Sequence, residues 1–365
     1  MRWQGLALAL AAALVAPAGA EASQLVTWTT TSRFVDPAQV QFNSPPPGAP
    51  ARPGALRVNV LLPDGYTPSQ RYPVLYLLHG HGDAYDYWAN PQRGNVAEIA
   101  RGFPGIVVMP EAARGWYANW WNGGRRGGPA WERYHLDELI PLVEERLPIL
   151  AGRRWHAIAG LSMGGEGAIY YASQRPGYFG SAASFSGVLS LQRPEWPAAF
   201  ETQGERYADV FGDQPFYTAG HDPTALAESL RWTRLYVTVG DGTPDPTVPQ
   251  QILNPQGQLG EAELRQQAQD FVGAAQSVGA DVTYQPKQGI HDWPYWRAAL
   301  DAALRWGFFA PVASEPRDWT FRTVAQDGEA WGWRFHFLAP PDEIFTLRRS
   351  GDAVVGTGSG VVDLT

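Results

Sequence analysis

The sequence predicts a doubly wound α/β domain followed by a small all-β appendage. Two observations carry the first part. Short apolar runs at 74–78, 106–109, 155–159, 181–185 and 235–239, with 282–284 after them, have the continuous character of fully buried parallel strands. Helical patterns lie between them at 136–147, 166–174 and 261–278, the last with apolar residues at Leu264, Ala268, Phe271, Val272, Ala275 and Val278. A third observation predicts the appendage. After Pro311 the segments 319–324, 331–337, 344–347 and 361–362 alternate with period two and are separated by turns containing Gly, Asp and Pro.

Taken in chain order, Arg2 precedes an apolar run from Leu6 to Ala16, and Ala18, Ala20 and Ala22 offer cleavage after Ala20 or Ala22. Residues 1–22 are therefore expected to be a signal peptide, 23–310 the α/β domain and 311–365 the β-rich region. The stretch 43–54 holds too many prolines for a sheet interior and reads as a loop, while 56–62 alternates like a half-buried strand. No later segment reaches the roughly 18 apolar residues that a membrane span needs. The mature protein is expected to be secreted, either extracellular or cell-wall associated.

Composition narrows the chemistry. The 365 residues are 44% hydrophobic and 18% charged, and the net charge of −8 comes without a basic block, which argues against a nucleic-acid partner. There is no cysteine, so disulfides, thiolate zinc sites and a thiol nucleophile are all excluded and a nucleophile must be oxygen-based. Sixteen tryptophans suit cores, interfaces and substrate clefts, where a large apolar area and one N–H can both be used.

The pentapeptide Gly160-Leu161-Ser162-Met163-Gly164 follows a buried strand and leads into a helical pattern, the context a G-x-S-x-G nucleophile elbow requires. Ser162 is thus the expected nucleophile. The strand 74–78 ends in His79-Gly80-His81-Gly82-Asp83, placed to supply an oxyanion-hole donor; the His81 and Met163 backbone N–H groups are the expected pair. His79 is expected to orient that loop. Of the two histidines beyond Ser162 in the α/β domain, His291 follows the last parallel strand and is the expected base, whereas His221 reads as a turn residue; His135 and His156, before Ser162, read as surface or strand residues. The acid stays open at this level, with Asp241 and Asp245 after the strand 235–239 as first choices.

Three segments together give a family resemblance: Gly-Leu-Ser-Met-Gly-Gly at 160–165, Val-Gly-Asp-Gly-Thr-Pro at 239–244 and Ile-His-Asp-Trp-Pro-Tyr-Trp at 290–296. Over roughly residues 55–308 the chain resembles the antigen 85 mycolyltransferase and esterase D-like family of secreted enzymes. The resemblance implies an α/β-hydrolase fold, with a mostly parallel sheet covered by helices on both faces. It also implies a Ser, Glu, His triad and an acyl-ester substrate whose acyl group passes to water or to an alcohol acceptor such as a sugar or glycerol. It further implies that the acid is Glu261, ten residues before Phe271, ahead of Asp245 and Asp241. No metal or organic cofactor is implied; Asp83 and Asp241 read as turn residues rather than calcium ligands.

One departure matters. Where mycolyltransferases usually carry a Leu-Arg pair in the oxyanion loop, this chain has His81-Gly82, so trehalose and mycolate specificity is not carried over. The β-rich tail is foreign to those enzymes; a packing role is the simpler expectation, and a cell-wall glycan or glycolipid is its candidate partner. A non-catalytic wall-binding protein on a hydrolase scaffold is the reading of a different class, and the intact Ser162 and His291 argue against it. Trp88, Trp116, Trp120, Trp121, Trp293 and Trp296 fall in loops at the carboxyl edge of the sheet and are expected to line an acyl or sugar cleft.

Overall fold

The computed structural model describes residues 22–40, 54–121 and 128–365; all but the last residue of the expected signal peptide and of the proline-rich stretch lie outside the described residues. Eight strands form one sheet: β1 (Gln24–Thr30), β2 (Leu56–Leu62), β3 (Val74–Leu78), β4 (Ile106–Pro110), β5 (His156–Leu161), β6 (Ser181–Phe185), β7 (Arg234–Val239) and β8 (Asp281–Pro286). Their spatial order is β1-β2-β4-β3-β5-β6-β7-β8. The β1–β2 and β2–β4 pairs are antiparallel and all others parallel.

The continuous apolar runs are explained by cover on both faces. Along β3, Val74, Tyr76 and Leu78 enter one core cluster while Leu75 and Leu77 enter the other; along β4, Ile106 and Val108 divide from Val107 and Met109 in the same way. After β3 the chain builds β4 on one side and then returns to place β5 on the other. The strand order therefore reverses between β3 and β5, and their carboxyl ends diverge into a crevice. Strand β1 has no counterpart in the sequence reading. It is an edge strand with side chains mostly exposed or half-buried, so it carries no buried pattern to detect.

Beyond the sheet lie two three-stranded antiparallel sheets. One joins β9 (Asp318–Thr323), β12 (Phe345–Ser350) and β13 (Ala353–Thr357); the other joins β10 (Asp327–Ala330), β11 (Trp333–Phe337) and β14 (Val362–Leu364). They share a core of Trp319, Phe321, Phe335, Phe337, Phe345 and Leu347, with Trp331 and Trp333 packed against it. Arg153 ties this region to the large sheet. Its guanidinium donates to the carbonyl oxygens of Pro176, Phe179, Trp232 and Ala313 at 2.7–2.9 Å and lies 4.6 Å over the Trp331 ring. Burial draws it down to about 10, which leaves it cationic at neutral pH and makes its four carbonyl partners charge-assisted.

One histidine differs from expectation, and another is the expected turn residue but buried. His135 is not at the surface: its ring lies in the core between the Tyr171 hydroxyl (2.8 Å) and the Glu111 carbonyl (3.0 Å), and burial lowers it to about 3. His221 is buried against the Tyr217 carbonyl and is held down to about 4. Both are neutral core members.

Glu132 behaves in the opposite sense. Burial pushes its carboxyl up to about 7, against the lowering pull of Arg175 and the Tyr170 hydroxyl. A carboxyl raised in the folded state stabilises fully below its unfolded value near 4.5, and that contribution is lost as pH rises through 7. Glu132→Gln is therefore expected to raise stability by roughly 3 kcal/mol at pH 8 and by nothing at pH 4. Urea midpoints at the two pH values check this, and an equal shift at both contradicts it.

Candidate active site

β5 ends at Leu161 and α1 (Met163–Gln174) begins two residues later, so the whole turn falls on Ser162. Its φ of 52° is a left-handed value that a side chain tolerates poorly. Neighbouring hydrogen bonds hold it there: the Ser162 N–H donates to the Phe185 carbonyl at 2.9 Å, and the Ser162 carbonyl accepts from Gly165 and Glu166. The flanking glycines are enforced by backbone proximity. A Cβ at Gly160 would lie 2.1 Å from the Gly164 carbonyl oxygen, and one at Gly164 would lie 2.5 Å from that of His79.

The Ser162 hydroxyl faces His291. Ser162 Oγ is 2.9 Å from His291 Nε2, and His291 Nδ1 is 2.7 Å from Glu261 Oε2. His291 sits in the loop after β8, just before α4 (Trp293–Trp306), whose start Asp292 caps by accepting the Trp293 N–H. Its own N–H donates to the Gly257 carbonyl at 3.0 Å, and its ring stands edge-on to Trp296 with centroids 4.8 Å apart. Because a carboxylate accepts at Nδ1, the proton is fixed there and Nε2 is free to accept from the serine.

Glu261 lies on α3 (Pro255–Ser277) and is fully buried. Its second oxygen, Oε1, accepts from the Ser186 hydroxyl at 2.6 Å and the Gly240 N–H at 2.5 Å, so both oxygens are satisfied. Asp241 and Asp245 are turn residues: the first accepts from Thr243 and Gly289, the second from Thr247, and neither reaches His291. Ser186, itself at φ 50°, went unnoticed in the sequence, since a lone serine after a strand carries no signal of its own.

The loop after β3 closes the other side. His79 donates from Nδ1 to the Gly80 carbonyl (2.8 Å) and accepts the Ala112 N–H at Nε2 (3.0 Å), while the Tyr117 hydroxyl donates to the His79 carbonyl (3.0 Å). The Gly80 N–H donates to Asp83 Oδ2 at 3.2 Å. Burial pushes the Asp83 carboxyl up to about 6, with the Arg93 guanidinium and the Gly80 N–H pulling the other way. The His81 imidazole is held 2.9 Å from both oxygens of Glu205. Among the described residues the His81 and Met163 N–H groups have no acceptor within the protein.

Ser162 and His291 open into a cleft of about 610 Å³. Trp116, Trp293 and Trp296 line it, as does Trp196 from the helix α2 (Trp196–Thr202), and Arg93, Glu195 and Glu263 form a partly exposed polar rim. Three expected wall residues are elsewhere. Trp88 is buried beneath the cleft, with its indole N–H donated to the Leu78 carbonyl at 2.9 Å and its ring edge-on to Trp293. Trp120 turns back to the Gly115 carbonyl at 3.1 Å, and Trp121 packs against Tyr217 and Phe216 beside a separate cavity. A loop position gives the edge of the sheet that a tryptophan is near, but its indole N–H goes where an acceptor is available. Trp196 and the His81–Glu205 contact escaped the sequence reading because 186–232 folds as short helices and turns without a sustained period.

Among the described residues no group of three or more His, Asp or Glu could hold a metal, and no helix is long and apolar enough to cross a membrane. An esterase of Mycobacterium tuberculosis, Esterase Rv1288, is 38% identical over 202 residues, which cover 52% of this chain and 43% of its own length; the match thus spans less than half of that relative. The diacylglycerol acyltransferase/mycolyltransferase Ag85A of Mycobacterium gordonae is 27% identical over 248 residues, 63% of this chain and 70% of its own. Among solved structures, a ferulic acid esterase superposes with a TM-score of 0.58 at 22% identity, covering 79% of this chain and 98% of that one. The Esterase family model matches residues 51–307, well over half the sequence, and the chain therefore belongs to that esterase family, on an α/β-hydrolase fold extended by C-terminal antiparallel sheets.

Proposed function

We propose that this chain is a secreted serine ester hydrolase that cleaves acyl esters of a sugar, glycerol or similar alcohol through an acyl-enzyme on Ser162. The observation that carries the reading is the unbroken hydrogen-bond chain from Ser162 through His291 to Glu261 at the floor of an aromatic cleft. His291 Nε2 takes the serine proton as Oγ attacks the ester carbonyl, and it returns that proton to the departing alcohol. Water then attacks the acyl-enzyme by the same route, with an alcohol acceptor as the variant that makes the reaction a transfer. Glu261 holds the imidazole in the productive tautomer and stabilises its cationic form. The His81 and Met163 N–H groups receive the oxyanion, each contributing roughly 3 kcal/mol to the transition state.

Substrate class follows from the walls. A cleft of about 610 Å³ is of the size that takes a drug-sized ligand. Trp293 and Trp296 beside His291 suit an apolar acyl group, while the polar rim of Arg93, Glu195 and Glu263 suits a hydroxyl-bearing alcohol. The reading favours short or aromatic acyl groups over long chains. Purified mature protein is assayed on p-nitrophenyl esters from acetate to palmitate, with and without glycerol or trehalose. Turnover falling as the chain lengthens, with free acid as the product, supports hydrolysis of small acyl groups. Acylated glycerol or trehalose as the main product identifies a transferase instead, and no turnover of any ester overturns the proposal.

A further inference from the structure

A second cavity, of about 120 Å³, lies where the C-terminal sheets meet the α/β body, and it shares no lining residue with the catalytic cleft. One wall is aromatic. Trp121 lies against Gly212, where a Cβ would come 2.9 Å from the indole, and its ring meets Tyr217 edge-on at 4.9 Å. The opposite wall consists of planar polar groups from both parts of the chain. Asn119 Nδ2 donates to Glu132 Oε2 at 2.8 Å, Arg133 reaches Asp327 at 3.1 Å across the junction, and Arg175 reaches Asp137 at 2.7 Å. Glu132 is buried, and both of its hydrogen bonds, from Asn119 and Tyr170, go to Oε2. Oε1 therefore accepts from nothing in the protein among the described residues.

These features select a ligand class. Among the described residues two arginines face three carboxyl groups, and each arginine is already paired, so these side chains leave no surplus positive charge for a phosphate or carboxylate. Polar edges on most sides exclude an acyl chain. An aromatic face opposed by planar side chains with fixed donor and acceptor directions suits a neutral ring whose face is apolar and whose rim carries hydroxyls. The cavity also adjoins a larger basin of about 630 Å³ that shares Arg133, Asp137, Arg175 and Asp327 with it, giving room for a chain that continues past one ring. We propose that the junction between the α/β body and the C-terminal sheets is a carbohydrate-binding site, distinct from the catalytic cleft, for a neutral oligosaccharide. It does not depend on the ester chemistry, since no catalytic group takes part.

The test uses the full mature chain with Ser162→Ala, so that binding is read without turnover. Xylotetraose, cellotetraose and maltotetraose are titrated by calorimetry. At least one is expected to bind, and Trp121→Ala is expected to weaken it by roughly tenfold or more. Ala325→Phe, which fills the cavity from the C-terminal side without removing a hydrogen bond, is expected to block the same ligand even if the Trp121 variant folds poorly. Trp296→Ala, in the catalytic cleft, is expected to leave that affinity unchanged. Absence of binding by all three oligosaccharides overturns the proposal, as does binding that survives both cavity variants or is lost only in Trp296→Ala.

Discussion

Ser162→Ala is expected to lower kcat for ester hydrolysis by roughly a million-fold while leaving the fold intact, because the nucleophile and its general base act as a unit and losing either removes covalent catalysis entirely. The residual rate would come from the cleft and the two N–H donors alone, which sustain roughly 10³–10⁴-fold over water in comparable sites. The substitution is conservative for stability. Ser162 makes its structural hydrogen bonds through the backbone, to Phe185, Gly165 and Glu166, and these survive loss of Oγ. Initial rates on p-nitrophenyl acetate, with a melting curve beside them, check the result. A loss of less than about tenfold with the fold preserved would show that the chemistry runs elsewhere.

Glu261→Gln is expected to lower kcat by roughly 10⁴-fold with a much smaller effect on KM. The glutamine amide can present N–H to His291 Nδ1, which favours the tautomer with its proton on Nε2, unable to accept from Ser162. Oε1 also accepts from Ser186 and Gly240, so the amide oxygen is expected to settle toward those two donors and leave the amide nitrogen facing the histidine. Asp245→Asn and Asp241→Asn, whose carboxylates accept within their own turns and from Gly289, are expected to change kcat less than about threefold. The four proteins compared on one ester give the answer, and a large loss confined to Asp245→Asn would relocate the acid.

How far this site was legible depended on whether each residue's role was local. The elbow could be read because its constraint lies within five residues: the turn at Ser162 and the backbone crowding at Gly160 and Gly164 are encoded where they act. The strands β3–β7 could be read because burial on both faces writes an uninterrupted apolar run. Glu261 was different. It lies 21 residues beyond Gly240, to which it accepts a hydrogen bond, on a helix whose own pattern says nothing about catalysis; elimination among the residues pointed first to Asp241 and Asp245. Only the family resemblance pointed to it. The tryptophans divided for a similar reason. Trp293 and Trp296 are fixed on the helix that follows His291, whereas Trp88 and Trp120 are turned by the Leu78 and Gly115 carbonyls, which the sequence does not bring together visibly.

The stability of the C-terminal region has the same long-range origin. Arg153, just before β5, donates from its guanidinium to carbonyl oxygens far away in sequence, those of Pro176, Phe179, Trp232 and Ala313. The alternating strands of the tail were visible, but the side chain that docks them was not.

Covalent labelling of the nucleophile reads the role of Ser162 without relying on turnover. A fluorophosphonate probe, which mimics an acyl ester at phosphorus and stalls as a stable serine adduct, is added to the purified protein, and the adduct is located by peptide mass spectrometry. A single adduct is expected, on the peptide carrying Ser162, absent from Ser162→Ala and formed far more slowly in Glu261→Gln. An adduct on another residue, or undiminished labelling of Ser162→Ala, would contradict it.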